Sequence, residues 1–180
     1  MTVDTIRDQL PDYARDLKLN LGSVLTPQGA PGLTESQIAS IALATAIAAR
    51  NPQLVRAIET WAEPHLDAAH LQAARSAAAI MGMNNIYYRF LHLVEDAEYQ
   101  TMPARLRMNV IGNPGVEKAD FELWSFAVSA INGCGMCLDS HEAELRKHGV
   151  PSAQIQTALR IASVVNAVSR VIAAEKAAEG

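Results

Sequence analysis

Phe121-Glu122-Leu123-Trp124-Ser125-Phe126-Ala127-Val128-Ser129-Ala130-Ile131, followed by Asn132-Gly133-Cys134-Gly135-Met136-Cys137-Leu138-Asp139-Ser140-His141, decides how the rest of the chain is read. The first part, from Lys118, is apolar nearly all round, and a helix of that composition is buried on every side. Other helices must therefore surround it. Its few polar side chains, Glu122, Ser125, Ser129 and Asn132, follow steps of three, four and three and form one line running toward the cysteines. Asn132-Gly133 is a break signal, and Leu138, Glu142 and Leu145 continue as helix, so a new helix starts at or near Cys134. On it Cys134, Cys137 and His141 stand at i, i+3 and i+7 and share a face, with the imidazole in reach of the Cys137 sulfur. A helix N-terminus and a neighbouring imidazole both favour the thiolate, and a second cysteine one turn away captures an oxidised first one as a disulfide. The local chemistry reads as a redox dithiol.

Working outward, the remaining segments also read as helices. Leu10 to Leu17 is a helix with Pro11 in its first turn, where a missing N–H costs nothing. Val24 to Leu33 is a loop, and Thr34-Glu35-Ser36-Gln37 is a capping box that opens a helix with Ile38, Ile41, Ala42 and Thr45 on one stripe. Pro52 opens a shorter helix carrying Leu54, Ile58 and Trp61, which Pro64 ends. Asp67 caps the next, through Leu71, Ala74, Ala78 and Met81, and Gly82 with Asn84-Asn85 is expected to kink or divide it before Ile86, Tyr87, Phe90 and Leu93. Thr101 to Gly115 is irregular, with a short helix expected over Ala104 to Met108. A last helix carries Ile155, Leu159, Ala162, Val165, Val168 and Ile172. No strand alternation is present. The chain is expected to be all-α.

A shift of 83 places Gly32 on Gly115, Ile38 on Phe121, Ala44 on Ala127, Glu59 on Glu142 and His65 on His148, and a shift of 84 places Leu71 on Ile155 and Ala78 on Ala162. These matches point to a two-fold helical repeat within one domain spanning residues 1–180, with halves near 32–93 and 115–175. Asn51 and Leu54 stand where the second half has its cysteines.

At 180 residues with a net charge of −4, the chain is long enough for a real core and carries no concentrated Lys/Arg surface. Nucleic acid and acidic membranes are not expected partners. Ile38 to Ala49, the longest mostly apolar run, is short of a membrane span, and Thr2, Asp4, Arg7 and Asp8 leave no signal core, so a cytoplasmic location is expected.

Each site residue has a plainer reading. The cysteines are structural or incidental in one alternative, and His141 is an ordinary surface histidine in another. Glu122 is either a first-turn acid favoured by the helix dipole or a buried carboxylate that needs a partner. If the two helices fold back on one another, Glu122 lies about 16 Å before the turn and His141 about 12 Å after it, which makes them neighbours. Zinc is a rival, but Cys134 and His148 are about 21 Å apart by helical rise and do not share one ion. His65, His70, His92 and His148 read as surface or packing residues, and Met81, Met83 and both tryptophans as core.

The run from Asp120 to Cys137, with His141, Arg105-Leu106-Arg107-Met108-Asn109 and Asn113-Pro114-Gly115, resembles the alkylhydroperoxidase D family of the carboxymuconolactone decarboxylase-like superfamily. The resemblance implies an all-α homotrimer that reduces alkyl hydroperoxides or regenerates a partner peroxiredoxin, the C subunit. It also implies no bound cofactor and no metal, with electrons from dihydrolipoamide on a lipoyl-bearing dehydrogenase-complex component. Carried over by position, Cys137 is the thiol that becomes sulfenic acid or a mixed disulfide. Cys134 is the proton donor and resolving thiol, and Glu122 and His141 are the relay that activates Cys137. The helix dipole alone favours Cys134 as nucleophile, whereas the histidine four residues on favours Cys137. Some relatives carry histidine where this chain has Met136. A non-redox lactone decarboxylase-like enzyme and a zinc-binding interaction module are the alternatives.

Overall fold

The computed structural model describes residues 1–178, and among them there are helices and no strands. In order they are α1 (Val3–Gln9), a 3-10 turn (Asp12–Ala14), α2 (Arg15–Val24), α3 (Glu35–Ala48), α4 (Pro52–Ala62), a second 3-10 turn (Glu63–His65) and α5 (Ala68–Leu93). Two single-turn helices follow, α6 (Glu98–Thr101) and α7 (Asn109–Gly112), then α8 (Lys118–Asn132), α9 (Gly135–Lys147) and α10 (Ser152–Ala178).

Two helices form the centre because their sequences are apolar nearly all round. Ile38 to Ala46 of α3 and Phe121 to Ser129 of α8 are buried without interruption, as an all-round apolar pattern requires. α3 and α8 pack on each other and are enclosed by α5 and α10, with α4 against α3 and α9 against α8. Ala39, Ala42, Ala44 and Ala46 on α3, and Ala73, Ala74 and Ala77 on α5, are essentially inaccessible; side chains this small let the helices approach closely. Phe121, Trp124 and Leu145 supply the bulk, each large buried side chain contributing about 1.5–3 kcal/mol relative to an exposed one.

The termini of these helices follow local sequence. Thr34 accepts from the Gln37 N–H while the Gln37 side chain accepts from Thr34 N–H, completing the capping box. Asp67 accepts from His70 N–H at the head of α5. Asn51, in the position that Cys134 holds in the second half, caps α4 and donates to the Ser169 carbonyl of α10. Left-handed residues recur at the offset of 83, at Gly32 and Gly115 and again at Arg50 and Gly133. Gln37 and Asp120, also 83 apart, are hydrogen-bonded at 2.7 Å.

Several expectations are corrected. α5 runs unbroken through Gly82 and Asn84-Asn85. A single exposed glycine costs a helix only about 1 kcal/mol, and the Asn85 side chain spends its hydrogen bonds on Ser129 and Asn132 of α8 rather than on its own backbone. Ala104 to Met108 is not helical: it follows Pro103, and Arg105 sits at φ 52, a left-handed conformation that ends a helical run. The turns fall on either side instead, at α6 and α7. Pro11 precedes a 3-10 turn rather than lying inside an α-helix. α1, capped by Thr2 with Val3 and Ile6 buried, was not foreseen. α10 is long and apolar enough by length and composition to cross a membrane, longer than the Ile38–Ala49 run, but its Ile155, Ile161, Val165 and Val168 are buried against the protein's own core.

Candidate active site

The site is built at the corner between α8 and α9. Gly133 at φ 68 supplies the left-handed residue that ends α8. Its N–H bonds the Ala130 carbonyl and the Cys134 N–H bonds that of Ser129, the paired pattern of a Schellman motif. Cys134 is then the N-cap of α9, its sulfur accepting from Cys137 N–H at 3.3 Å. Cys134 and Cys137 are joined as a disulfide with Cα atoms 5.3 Å apart.

Folding α9 back along α8 brings His141 beside Glu122. His141 Nδ1 donates to Glu122 Oε2 at 2.6 Å, and both residues are buried, 8% and 5% exposed. Those values matter because a carboxylate so enclosed needs a partner, and the imidazole is the partner it has. The other ring nitrogen, Nε2, lies 3.3 Å from Met81 Sδ on α5 rather than on the Cys137 sulfur.

A cleft of roughly 520 Å³ opens onto this group, lined by Met81, Asn84 and Tyr88 of α5, Ile111 of α7, Lys118 and Glu122 of α8, and Met136, Cys137, Ser140, His141, Glu144 and Lys147 of α9. Cys137 faces it, and Cys134, fully inaccessible, is not part of its lining. At the rim Glu144 bridges Lys147 and Lys118, at 3.1 and 3.2 Å. Hydrogen bonds from these two ammonium groups hold its carboxyl well down, at about 2. Among the described residues no group of three or more His, Cys, Asp and Glu is placed to hold a metal ion.

The polar line on α8 divides in two. Only Glu122 touches the histidine; Ser129 and Asn132 bind Asn85 and tie α8 to α5, and Ser125 is buried without a protein partner. The four residues singled out from sequence, Glu122, Cys134, Cys137 and His141, converge at this corner. The α5 wall was missed as part of the site. Met81 is core, as read from the sequence, at 1% exposed, and it also lines the cleft; Met81, Asn84 and Tyr88 stand at i, i+3 and i+7 on one helix face, a spacing that any core stripe shares.

Comparison with known proteins bears on this geometry. The carboxymuconolactone decarboxylase family model matches residues 97–180. The alkyl hydroperoxide reductase AhpD of Hyphomonas neptunium is 60% identical over 177 residues, covering 98% of this chain and 97% of that one. The chain belongs to the AhpD family. AhpD of Rhodospirillum centenum is 56% identical over all of this chain and 95% of its own, and that of Streptomyces coelicolor 57% identical over 97% of each. Such coverage extends AhpD membership over both central helices and the α8–α9 corner alike.

Proposed function

We propose that the protein is an alkyl hydroperoxide reductase that works by a Cys134–Cys137 disulfide cycle. The observation that carries this reading is the disulfide at the mouth of a cleft with a buried Glu122–His141 pair one helical turn away. Cys137 is the attacking thiol in this reading because it faces the cleft. Cys134, inaccessible and engaged as the cap of α9, is the resolving thiol and proton donor. The thiolate of a Cys137 activated by His141 and Glu122 attacks the outer oxygen of the hydroperoxide. The O–O bond breaks, Cys137 becomes a sulfenic acid, and the alkoxide leaves with a proton as an alcohol. The Cys134 sulfur then displaces water from the sulfenic acid and closes the disulfide. Glu122 fixes the imidazole through Nδ1, leaving Nε2 as the edge that exchanges protons.

Re-reduction needs two electrons and two protons. A dihydrolipoyl dithiol on a lipoyl-bearing dehydrogenase-complex component supplies both in this reading and leaves as the cyclic disulfide. A peroxiredoxin disulfide is the second oxidant that the cleft accepts, through a mixed disulfide at Cys137. Ile86, Phe90 and Leu93 of α5, with Tyr99, Met102 and Leu106 after it, are apolar and exposed, and Phe90 and Tyr99 stack edge to face at 5.1 Å. Apolar surface of this kind marks a protein contact, which supports a homotrimer. No bound cofactor takes part, and the cytoplasm, where thiol donors are kept reduced, is the compartment that suits the cycle.

The test is peroxide consumption driven by dihydrolipoamide in the wild type, Cys134→Ser and Cys137→Ser. Turnover lost in both variants supports the cycle. Turnover retained in either, or a disulfide that dihydrolipoamide does not open, removes it.

A further inference from the structure

Two buried side-chain nitrogens converge on one thioether. His141 Nε2 lies 3.3 Å from Met81 Sδ, and Asn85 Nδ2 reaches the same sulfur at 3.9 Å. Asn85 is itself held: its Nδ2 donates to Ser129 Oγ at 2.8 Å, and its Oδ1 accepts from Asn132 Nδ2 at 2.9 Å. A methionine that only fills space needs no donors aimed at it. This sulfur is an acceptor, and so is the Glu122 carboxylate on the opposite edge of the ring. The imidazole therefore lies between two acceptors, Glu122 Oε2 on its Nδ1 edge toward α8 and Met81 Sδ on its Nε2 edge toward α5.

We infer that Met81 is a positioning residue of the redox cycle, its sulfur holding the Nε2–H edge of His141 while Cys134 and Cys137 are joined, with Asn85 holding the sulfur in place. This rests on the relay reading above. When an external dithiol attacks, the Cys134–Cys137 bond breaks and the donor is oxidised to its own disulfide. The two electrons it gives up are gained by the cysteines; one of its two protons goes to Cys134 and the other to solvent, while Cys137, one turn from His141, takes its proton from Nε2 and leaves the ring neutral, ready to act as base in the next turnover. Met81 keeps that edge turned into the cleft until then. The groups facing the ring are Glu122 from α8, Cys137 from its own helix and Met81 from α5. The charged Lys118, Glu144 and Lys147 lie at the rim, occupied with one another.

The experiment compares wild type, Met81→Leu, Met81→Gln and His141→Asn. Leucine keeps the volume and deletes the acceptor; glutamine returns an acceptor oxygen. The readouts are dihydrolipoamide-driven reduction kinetics and nitrogen-15 spectra of the histidine ring. In the wild-type disulfide form the Nε2–H signal of His141 is expected to be present and protected from solvent exchange, and to change on reduction. Met81→Leu should lower kcat roughly three- to tenfold, the worth of one hydrogen bond, leave KM unchanged and shift the Nε2 signal. Met81→Gln should recover most of the rate. An unchanged kcat and Nε2 signal in Met81→Leu, or a wild-type ring with no hydrogen on Nε2, overturns the role given to Met81. Wild-type rates in His141→Asn would instead overturn the relay itself, so the two failures are told apart.

Discussion

His141 on α9 and Glu122 on α8, nineteen residues apart in sequence, meet at 2.6 Å between Nδ1 and Oε2. The contact orients the imidazole and also pins the two helices that form the corner of the site. Glu122→Gln, which keeps an acceptor oxygen for Nδ1–H, should fold normally and lower peroxide turnover roughly hundredfold, the usual loss when proton transfer is impaired. Glu122→Leu leaves a buried ring N–H unpaired and should cost about 1–3 kcal/mol of stability. Steady-state kinetics and chemical denaturation of the two variants separate these effects.

The cysteines should be distinguishable by what each variant accumulates. Cys134→Ser keeps an oxygen at the N-cap, so α9 should start where it does now. One equivalent of hydroperoxide is then expected to leave a stable sulfenic acid on Cys137 that traps with dimedone. Cys137→Ser should trap nothing. Labelling at Cys134 in place of Cys137 would reverse the roles.

Close packing through alanine makes the core intolerant of bulk. Ala42 on α3 and Ala74 on α5 are both fully buried, and Ala42→Leu or Ala74→Leu should destabilise by about 1–3 kcal/mol through overpacking. The midpoint of urea unfolding checks this, with the m-value unchanged.

Glu144 carries an acid-sensitive contribution at the rim. Its carboxyl, held at about 2 by Lys147 and Lys118, lies below the ordinary value of 4.5. The folded state therefore prefers the ionised form, and the stabilisation is complete above pH 4.5 and lost as pH falls toward 2. Wild type and Glu144→Gln should differ in Tm above pH 4.5 and converge in acid, with the difference shrinking in high salt because the ion pairs are exposed. Tm curves that stay parallel down to pH 2 would show that the two lysines do not favour the ionised carboxylate.

What was legible in the sequence is what local chemistry settles. Thr34 with Gln37, Asp67, Pro52 and Asn132-Gly133 mark helix ends through their own side chains or backbone geometry, and all four lie at helix boundaries. The approach of Glu122 to His141 followed from counting helical rise on either side of one turn. What tertiary contacts decide was not legible. Asn84-Asn85 looks like a break because asparagine competes for its own backbone, and only the presence of Ser129 and Asn132 opposite keeps that side chain from doing so. Met81 in a string of alanines has the pattern of any core methionine, and its role depends on a histidine 60 residues away. Arg105 in a left-handed conformation carries no sequence signal at all.

The most direct measurement is the rate at which the reduced protein's Cys137 is oxidised by cumene hydroperoxide in a single turnover, wild type against His141→Asn, with both confirmed folded by circular dichroism. If His141, held by Glu122, activates Cys137, the variant should react roughly a hundredfold more slowly near neutral pH and recover as pH rises and the thiol ionises unaided. Equal rates at neutral pH would show that Cys137 needs no histidine, and the relay would have to be abandoned.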